Sequence, residues 1–521
     1  MTLQEVFAKK TFCLGVELVT TRGLAHHDPA AKVLRLGRDL AGRTEIDWLS
    51  ITDNAGGNPA LAAEHLGGLL RDLGAEVLIH LSAKDMNRSA LEGRAWALAS
   101  RGLTNVLALT GDYPVAGFRG NARPAFDLDS VTLLAMLADM NAGMEIAAPG
   151  RAAVTLEPTA FYPGVAVSPF KAQAAELLGQ YLKLERKIVH GARFIITQVG
   201  YDARKWDELR LHLAERGHAL PCIGYVYLLG KGVARIFHRN QIPGCVVSDE
   251  LLALVERQAA GPDRGKSFFI ELAAKQAAIL RGMGYRGAYL GGLSSPAQLD
   301  AILERLGSFS PDDWRLFAKE LQFPAPKEFY MYARHPETGL ADAAARKPVP
   351  RAPAGALERL AFAFNQVFHR LVFASTAPLF GPAARVYRAL EKRPRLAASA
   401  RDIENLIKAV LFGCRGCGDC SLPETTYICP EFACPKRQRN GPCGGSFLGQ
   451  CEAEDRDCIW VRAFRRCGGA EQFAALFQAA PTFVDDALRT SSSWANAFLG
   501  RDHHRYEKGV KHGDSGTHAD R

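Results

Sequence analysis

No apolar stretch of this 521-residue chain reaches 18 residues before proline or charge breaks it, and a membrane-spanning helix needs about 20. The nearest approach, 371–387, is interrupted by Pro378, Pro382 and Arg385. A membrane span is therefore not expected. The opening string, Met1 to Phe7, lacks the charged-then-apolar layout of a signal peptide, so a cytoplasmic location is expected. No dense Lys/Arg run accompanies the formal net charge of +9, which argues against nucleic acid and leaves room for an acidic protein partner. A G-x-G-x-x-G fingerprint is missing, and with it the main sign of a doubly wound dinucleotide fold. Cysteine is scarce before residue 414, where only Cys13, Cys222 and Cys245 occur, all in apolar segments that read as core.

What is present is ordinary globular composition, 48% hydrophobic and 23% charged, at a length that predicts two or three domains. Over the first 300 residues, short apolar β-rich runs alternate with amphipathic helical stretches. The predicted strands are 12–19, 46–52, 76–82, 105–110, 152–156, 193–198, 220–227 and 287–291. Most are followed by a helical pattern, as at 60–73, 88–101, 130–141, 171–190, 206–216 and 267–283. That count predicts a (β/α)8 TIM barrel over 1–322. Six prolines between Pro324 and Pro353 predict an extended linker over 323–355. A smaller helical, cysteine-rich metal-binding domain is expected over 356–500, and a disordered polar tail over 501–521.

Barrel chemistry collects where strands end. Here the predicted ends carry Glu17, Thr52-Asp53-Asn54, His80-Leu81-Ser82, Thr110-Gly111-Asp112, Thr155-Leu156-Glu157 and Thr197-Gln198. A carboxylate turned inward from an apolar strand loses solvation, which raises its pKa and makes Glu17 a candidate general acid. One such residue would read as structural, but polar groups at six successive ends read as a lined site.

Ala108-Leu109-Thr110-Gly111-Asp112-Tyr113-Pro114, Ile196-Thr197-Gln198, Ser50-Ile51-Thr52 and Leu182-Lys183-Leu184-Glu185-Arg186-Lys187 resemble the methylenetetrahydrofolate reductase family in order and spacing, over about 11–293. The resemblance implies a flavin-bearing barrel that interconverts 5,10-methylenetetrahydrofolate and 5-methyltetrahydrofolate, an oxidoreductase of one-carbon metabolism. It implies that Glu17 protonates the folate, that Asp112 sits by pterin and flavin, and that Gln198 hydrogen-bonds the pterin. It places Thr52, His80, Thr110, Gly111, Asp112, Arg186, Lys187 and Tyr289 at the flavin. The chain departs from the family at Leu18-Val19-Thr20-Thr21 and at Val154-Thr155-Leu156-Glu157-Pro158, which leaves FAD or FMN, and NAD(P)H as direct donor, open.

Nine of the 12 cysteines lie between Cys414 and Cys467. In a cytosolic chain this is a metal signal rather than a disulfide framework. Eight of them, Cys414, Cys417, Cys420, Cys429, Cys434, Cys443, Cys451 and Cys458, satisfy two four-thiolate sites and leave Cys467 spare. The fused C-x2-C-x2-C triplet with a later Cys-Pro points to iron–sulfur, two [4Fe–4S] clusters, with zinc as the alternative. Phe412 to Cys420, Asn440-Gly441-Pro442-Cys443-Gly444-Gly445 and Cys458-Ile459-Trp460 resemble the C-terminal module of some bacterial reductases of the family, a separate subunit in acetogens. Electron entry through this module is expected, from an acidic donor such as ferredoxin or from NAD(P)H, in a homo-oligomer. Two competing readings share these residues. One runs the enzyme as a methyltetrahydrofolate oxidase in demethylation. The other makes the barrel a folate-binding partner of a methyltransferase, with a structural zinc module.

Overall fold

The computed structural model describes residues 1–146, 153–352 and 354–505. Eight parallel strands close a barrel in chain order: β1 (Cys13–Leu18), β2 (Trp48–Ile51), β3 (Val77–Ser82), β4 (Asn105–Leu109), β5 (Tyr162–Val167), β6 (Phe194–Thr197), β7 (Cys222–Tyr227) and β8 (Gly287–Gly291). Helices fill the crossovers, as expected of a (β/α)8 TIM barrel. Strands such as β3 are buried at every residue, which is why they read in sequence as continuous apolar runs.

The fifth strand corrects the sequence reading. Val154–Thr155 pairs antiparallel with Glu145–Ile146 in a small hairpin outside the barrel, and β5 takes the place predicted for 152–156. Thr155, Leu156 and Glu157 therefore end no barrel strand. Pro163 and Gly164 hid β5 by looking like a turn. Pro163 sits near the strand's start, where a missing N–H costs little. Gly164 is needed inside the barrel, because a Cβ there would stand 2.2 Å from the Phe194 ring. Gly15 meets Trp48 in the same way, at 1.9 Å. Small and large residues thus alternate across the barrel floor.

Helix Leu3–Lys9, held by a capping box between Thr2 and Glu5, plugs the N-terminal end of the barrel. Its Phe7 packs its ring 5.5 Å from Trp48 and 5.3 Å from Phe194. The open mouth is the other end, where the strands finish.

The chain divides into two compact units, one of residues 1–350 with 441–461, the other of 351–440 with 462–521. Two domain expectations change with this. The proline-rich stretch is no free linker: Tyr332–Arg334 and Ala341–Arg346 form a hairpin, and Lys205 Nζ donates to Phe329 O at 2.5 Å. By contacts, 441–461, with Cys443, Cys451 and Cys458, groups with the barrel unit, and the other ladder cysteines with the second. The second unit is helical, with Ala356–Val372, Phe380–Glu391 and Pro394–Phe412. An aromatic cluster orders it, in which Phe498 lies 4.9 Å from Phe373 and 5.4 Å from Tyr387 between ring centres. Order continues past residue 501, where a tail was expected. Asp502 and His503 are buried, and 506–521 lie outside the described residues. Among the described residues no helix is long and apolar enough to cross a membrane.

Candidate active site

Glu17 projects from β1 into the barrel, opposite Ser50 of β2 in register. Tyr225 of β7 donates its hydroxyl hydrogen to Glu17 Oε2, and Tyr289 of β8 donates to Oε1 at 3.2 Å. Burial pushes the Glu17 carboxyl above the usual carboxylate range, and the two hydroxyls only partly offset it. His80 Nε2 lies 3.0 Å from Ser50 Oγ and 3.3 Å from the Tyr289 hydroxyl. Burial with no anionic partner takes His80 down to about 4. At neutral pH the pocket thus holds a neutral imidazole beside a carboxyl whose pKa burial raises.

The other two sequence-predicted catalytic residues gather around Cys245. Its thiol donates to Gln198 Oε1 across 3.8 Å. Burial first, then the charges of Asp112 and Glu17, push that thiol far up, so it stays neutral. Cys245 had read as plain core, and it instead sits among Glu17, Asp112 and Gln198. Asp112 Oδ2 accepts from Gly56 N at 2.8 Å. The turn that carries it depends on Gly111, at φ +90°, where a Cβ would stand 2.1 Å from Ser82 Oγ. Asp53, by contrast, is held by Arg94 at 2.8 Å and serves structure.

A second patch forms on the helix Ala174–Val189. Lys183, Arg186 and Lys187 are all buried there. Lys183 Nζ lies 3.9 Å from Asp129 Oδ2. Asp129 itself caps the helix Ser130–Ala142, and Thr110 Oγ1 accepts from Ser130 N at 3.3 Å. Lys187 Nζ donates to Ala166 O at 2.8 Å, and burial, with Lys183 beside it, takes Lys187 down to about 7. Lys183, Arg186 and Lys187 together are the side chains here suited to hold an anion. Of the residues assigned to flavin, Thr110, Arg186 and Lys187 meet at this patch. His80 and Tyr289 join Glu17 instead, and Thr52 Oγ1 accepts from Thr20 N at 3.2 Å.

The segment 441–461 packs onto the same barrel unit. Lys171 Nζ donates to Gly444 O at 2.6 Å and to Ser446 O at 2.5 Å. Lys183 Nζ donates to Gly441 O at 3.1 Å, and Glu176 accepts from Gly449 N at 3.1 Å. A Cβ on Gly244 would lie 3.2 Å from Gln198 Nε2 and 3.6 Å from Gly444 O. The Asn-Gly-Pro-Cys-Gly-Gly string is thereby brought beside the pocket.

Cys414, Cys417, Cys420, Cys429, Cys434 and Cys467 lie in the helical unit, and all twelve cysteines are free of disulfides. Burial pushes Cys420 up to about 12, and the charges of Cys417 and Cys414 add to it. Cys429 rises through burial and the same two neighbours. Arg439 is buried and bonded to Glu431 at 2.5 Å, and its charge acts on both Cys417 and Cys429. The buried Lys408 is pulled up by Cys420 and Cys414 against its own desolvation. Gly416 N donates to Cys414 Sγ at 3.4 Å, and Gln438 N to Cys434 Sγ at 3.4 Å. Four thiols with two buried cations suit a negatively charged metal centre. Among the described residues, no three of Cys414, Cys417, Cys420 and Cys429 have sulfurs within 4.8 Å of one another.

Sequence reasoning missed Tyr225, Ser50, Cys245, Asp129, Lys171 and Lys183. The tyrosine alternation of Tyr225 and Tyr227 on one strand was the available signal for the first. The two lysines lay within or beside a helix that had been singled out.

Comparison with known proteins adds two family matches. Residues 32–307 match the model described as methylenetetrahydrofolate reductase, and residues 394–483 match that described as methylene-tetrahydrofolate reductase C terminal. No curated protein matches the chain. Among solved structures, an uncharacterised protein from Clostridium thermocellum that binds two copies of 5-methyl-5,6,7,8-tetrahydrofolic acid is 12% identical. That match covers 59% of this chain and 98% of the other, at a TM-score of 0.40. A thermostable aldo-keto reductase solved with the inhibitor epalrestat is 14% identical over 58% of this chain and 93% of its own, at a TM-score of 0.33.

Proposed function

The chain belongs to the methylenetetrahydrofolate reductase family, and from that premise we propose that it interconverts 5,10-methylenetetrahydrofolate and 5-methyltetrahydrofolate at the mouth of its barrel, with a flavin as hydride carrier. The observation that carries this reading is the buried Glu17, held by Tyr225 and Tyr289 next to the neutral His80. Opening the folate's five-membered ring needs a proton donor that is still charged with its proton at neutral pH. Burial moves the Glu17 pKa upward, in the direction that requirement needs, whereas it takes His80 down to about 4 and leaves a neutral imidazole there. When Glu17 releases its proton, the two tyrosine hydroxyls stabilise the carboxylate left behind.

Asp112, fixed by Gly56 N–H, is an anion placed near the cation that ring opening creates. Gln198 keeps its amide facing the same space and orients the pterin. Lys187, Arg186 and Lys183 fit the phosphates of FAD or FMN, since an anion there would restore the charge that burial takes from Lys187. Bound there, the flavin would supply the hydride for the methylene carbon.

The thiols take the role of electron entry. Cys414, Cys417, Cys420 and Cys429 would hold one iron–sulfur cluster; of the other ladder thiols, Cys434 lies in the helical unit and Cys443, Cys451 and Cys458 in the barrel unit. Such a cluster supplies electrons singly. Anaerobic purification followed by rapid mixing of the reduced protein with methylenetetrahydrofolate tests the reading. Flavin reoxidation on mixing is expected, and a protein that takes up neither FAD nor FMN overturns it.

A further inference from the structure

Away from the cysteine ladder, the helical unit gathers a second set of metal-ligating side chains. Glu424 comes from the short turn Pro423–Thr425, and His503 and His504 come from the turn His503–Arg505. Their ligand atoms lie within 4.8 Å of one another, the one such group among the described residues. His504 Nε2 is 3.5 Å from Glu424 Oε1, and His503 Nε2 is 3.8 Å from the same oxygen. Both rings use their other nitrogen in the same way. His503 Nδ1 meets Asp419 Oδ1 at 2.5 Å, and His504 Nδ1 meets Asp502 Oδ2 at 3.2 Å. Asp419 is itself fixed by Asp485 N at 3.1 Å.

A carboxylate lies behind each imidazole, so a neutral ring that keeps its proton on Nδ1 turns its Nε2 lone pair toward Glu424. That is the arrangement metal-binding histidines show. His503 is 5% exposed, and its Nε2 has no hydrogen-bond partner, nor does Glu424 Oε2. Leaving a buried donor or acceptor unsatisfied is costly. The ring centres are 4.1 Å apart, and without a cation the surrounding carboxylates draw protons onto them: against its burial, Asp419 and Glu424 raise His503 to about 9, and Asp502 and Glu424 raise His504 to about 10. One divalent cation satisfies both Nε2 atoms and the carboxylate together. Glu424 and His504 also line a cavity of about 690 Å³ walled by Phe373, Tyr427 and Trp494. A cation held there keeps a coordination position open to that cavity, unlike a closed structural site.

We propose that Glu424, His503 and His504 form a two-histidine, one-carboxylate site for a single divalent transition-metal ion, separate from the cysteine centres and open to the aromatic cavity. Cobalt(II) is the probe, added to the full-length protein as purified anaerobically. One equivalent should bind with the weak visible bands of nitrogen and oxygen ligation and without sulfur-to-cobalt charge transfer. Glu424→Gln and His504→Gln should each weaken that binding at least tenfold and leave iron and sulfide content unchanged. Asp502→Asn touches no ligand atom and keeps the test decisive if a ligand variant folds poorly. It should cost about 10–100-fold, the range for partners that orient metal ligands. Cobalt that shows thiolate charge transfer, or isotherms unaltered in all three variants, would overturn the assignment.

Discussion

The Tyr289 hydroxyl stands 3.2 Å from Glu17 Oε1, on the strand that closes the barrel against Glu17's own. The same oxygen is 3.3 Å from His80 Nε2. One phenol thus ties the buried acid to the neutral imidazole.

Glu17→Gln keeps size and hydrogen bonding but carries no transferable proton. Flavin should bind and be reduced by artificial donors as in the wild type. Reoxidation by methylenetetrahydrofolate, followed by stopped flow, should slow by about 10²–10⁴-fold. A rate within about threefold of wild type, well short of that range, removes Glu17 from the mechanism. Stability offers a second readout. Because folding raises the Glu17 pKa, the folded state holds the proton longer, and wild-type stability falls as pH rises through that value. The variant should lose this part of the decline in Tm toward alkaline pH.

Tyr225→Phe removes a donor that favours ionised Glu17. The alkaline limb of the folate half-reaction should therefore move to higher pH. The rate below that limb should fall, since a hydrogen bond to a charged group contributes about 1.5–3 kcal/mol, roughly tenfold to a hundredfold. A pH profile of reoxidation rate, wild type against variant, reads both effects.

Asp112→Asn keeps the bond from Gly56 N and removes the charge. Flavin content should be unchanged, and the folate half-reaction should slow by about 10²–10³-fold, as when one preorganised electrostatic contact is lost. Single-turnover kinetics at saturating folate would measure it.

Lys187→Met tests the anion patch. With Lys187 at about 7, binding of a phosphate-bearing flavin to apoprotein should weaken as pH rises above that value, because the amine must then take up a proton. In the variant, affinity should drop roughly tenfold or more at pH 6, by loss of a charge-assisted bond, and the pH dependence should flatten. Isothermal titration at two pH values would show it.

Cys417→Ser should lower the iron and acid-labile sulfide of anaerobically purified protein, whose brown colour should bleach with dithionite. Stoichiometric zinc in colourless wild-type protein would instead make the thiols scaffolding, since zinc has no redox chemistry.

Most of the barrel was legible because a parallel strand buried on both faces is a plain apolar run, as Val77 to Ser82 is. β5 was not, because Pro163 and Gly164 carry a turn signature that the Phe194 ring overrides. Glu17 was legible as a lone charge in an apolar run. Tyr225 and Cys245 were not, since their roles follow from closure of the barrel, which brings residues more than 200 positions apart into contact with Glu17. The docking of 441–461 depends on bonds such as Lys171 to Gly444, 273 residues apart, and no local pattern encodes them. His503 likewise looks like solvated tail until Asp419, 84 residues earlier, meets it.

The backbone passes from one unit to the other three times, after Pro350, Asn440 and Val461. A gene cut at the proline-rich stretch would therefore not release a self-sufficient barrel. It would strip away the carbonyls of Gly441, Gly444 and Ser446 that Lys171 and Lys183 are built to meet, and two lysines shaped for burial would have to be hydrated in a gap. The two units are thus interwoven at the level of chain order, so neither can be excised as one continuous piece of the gene.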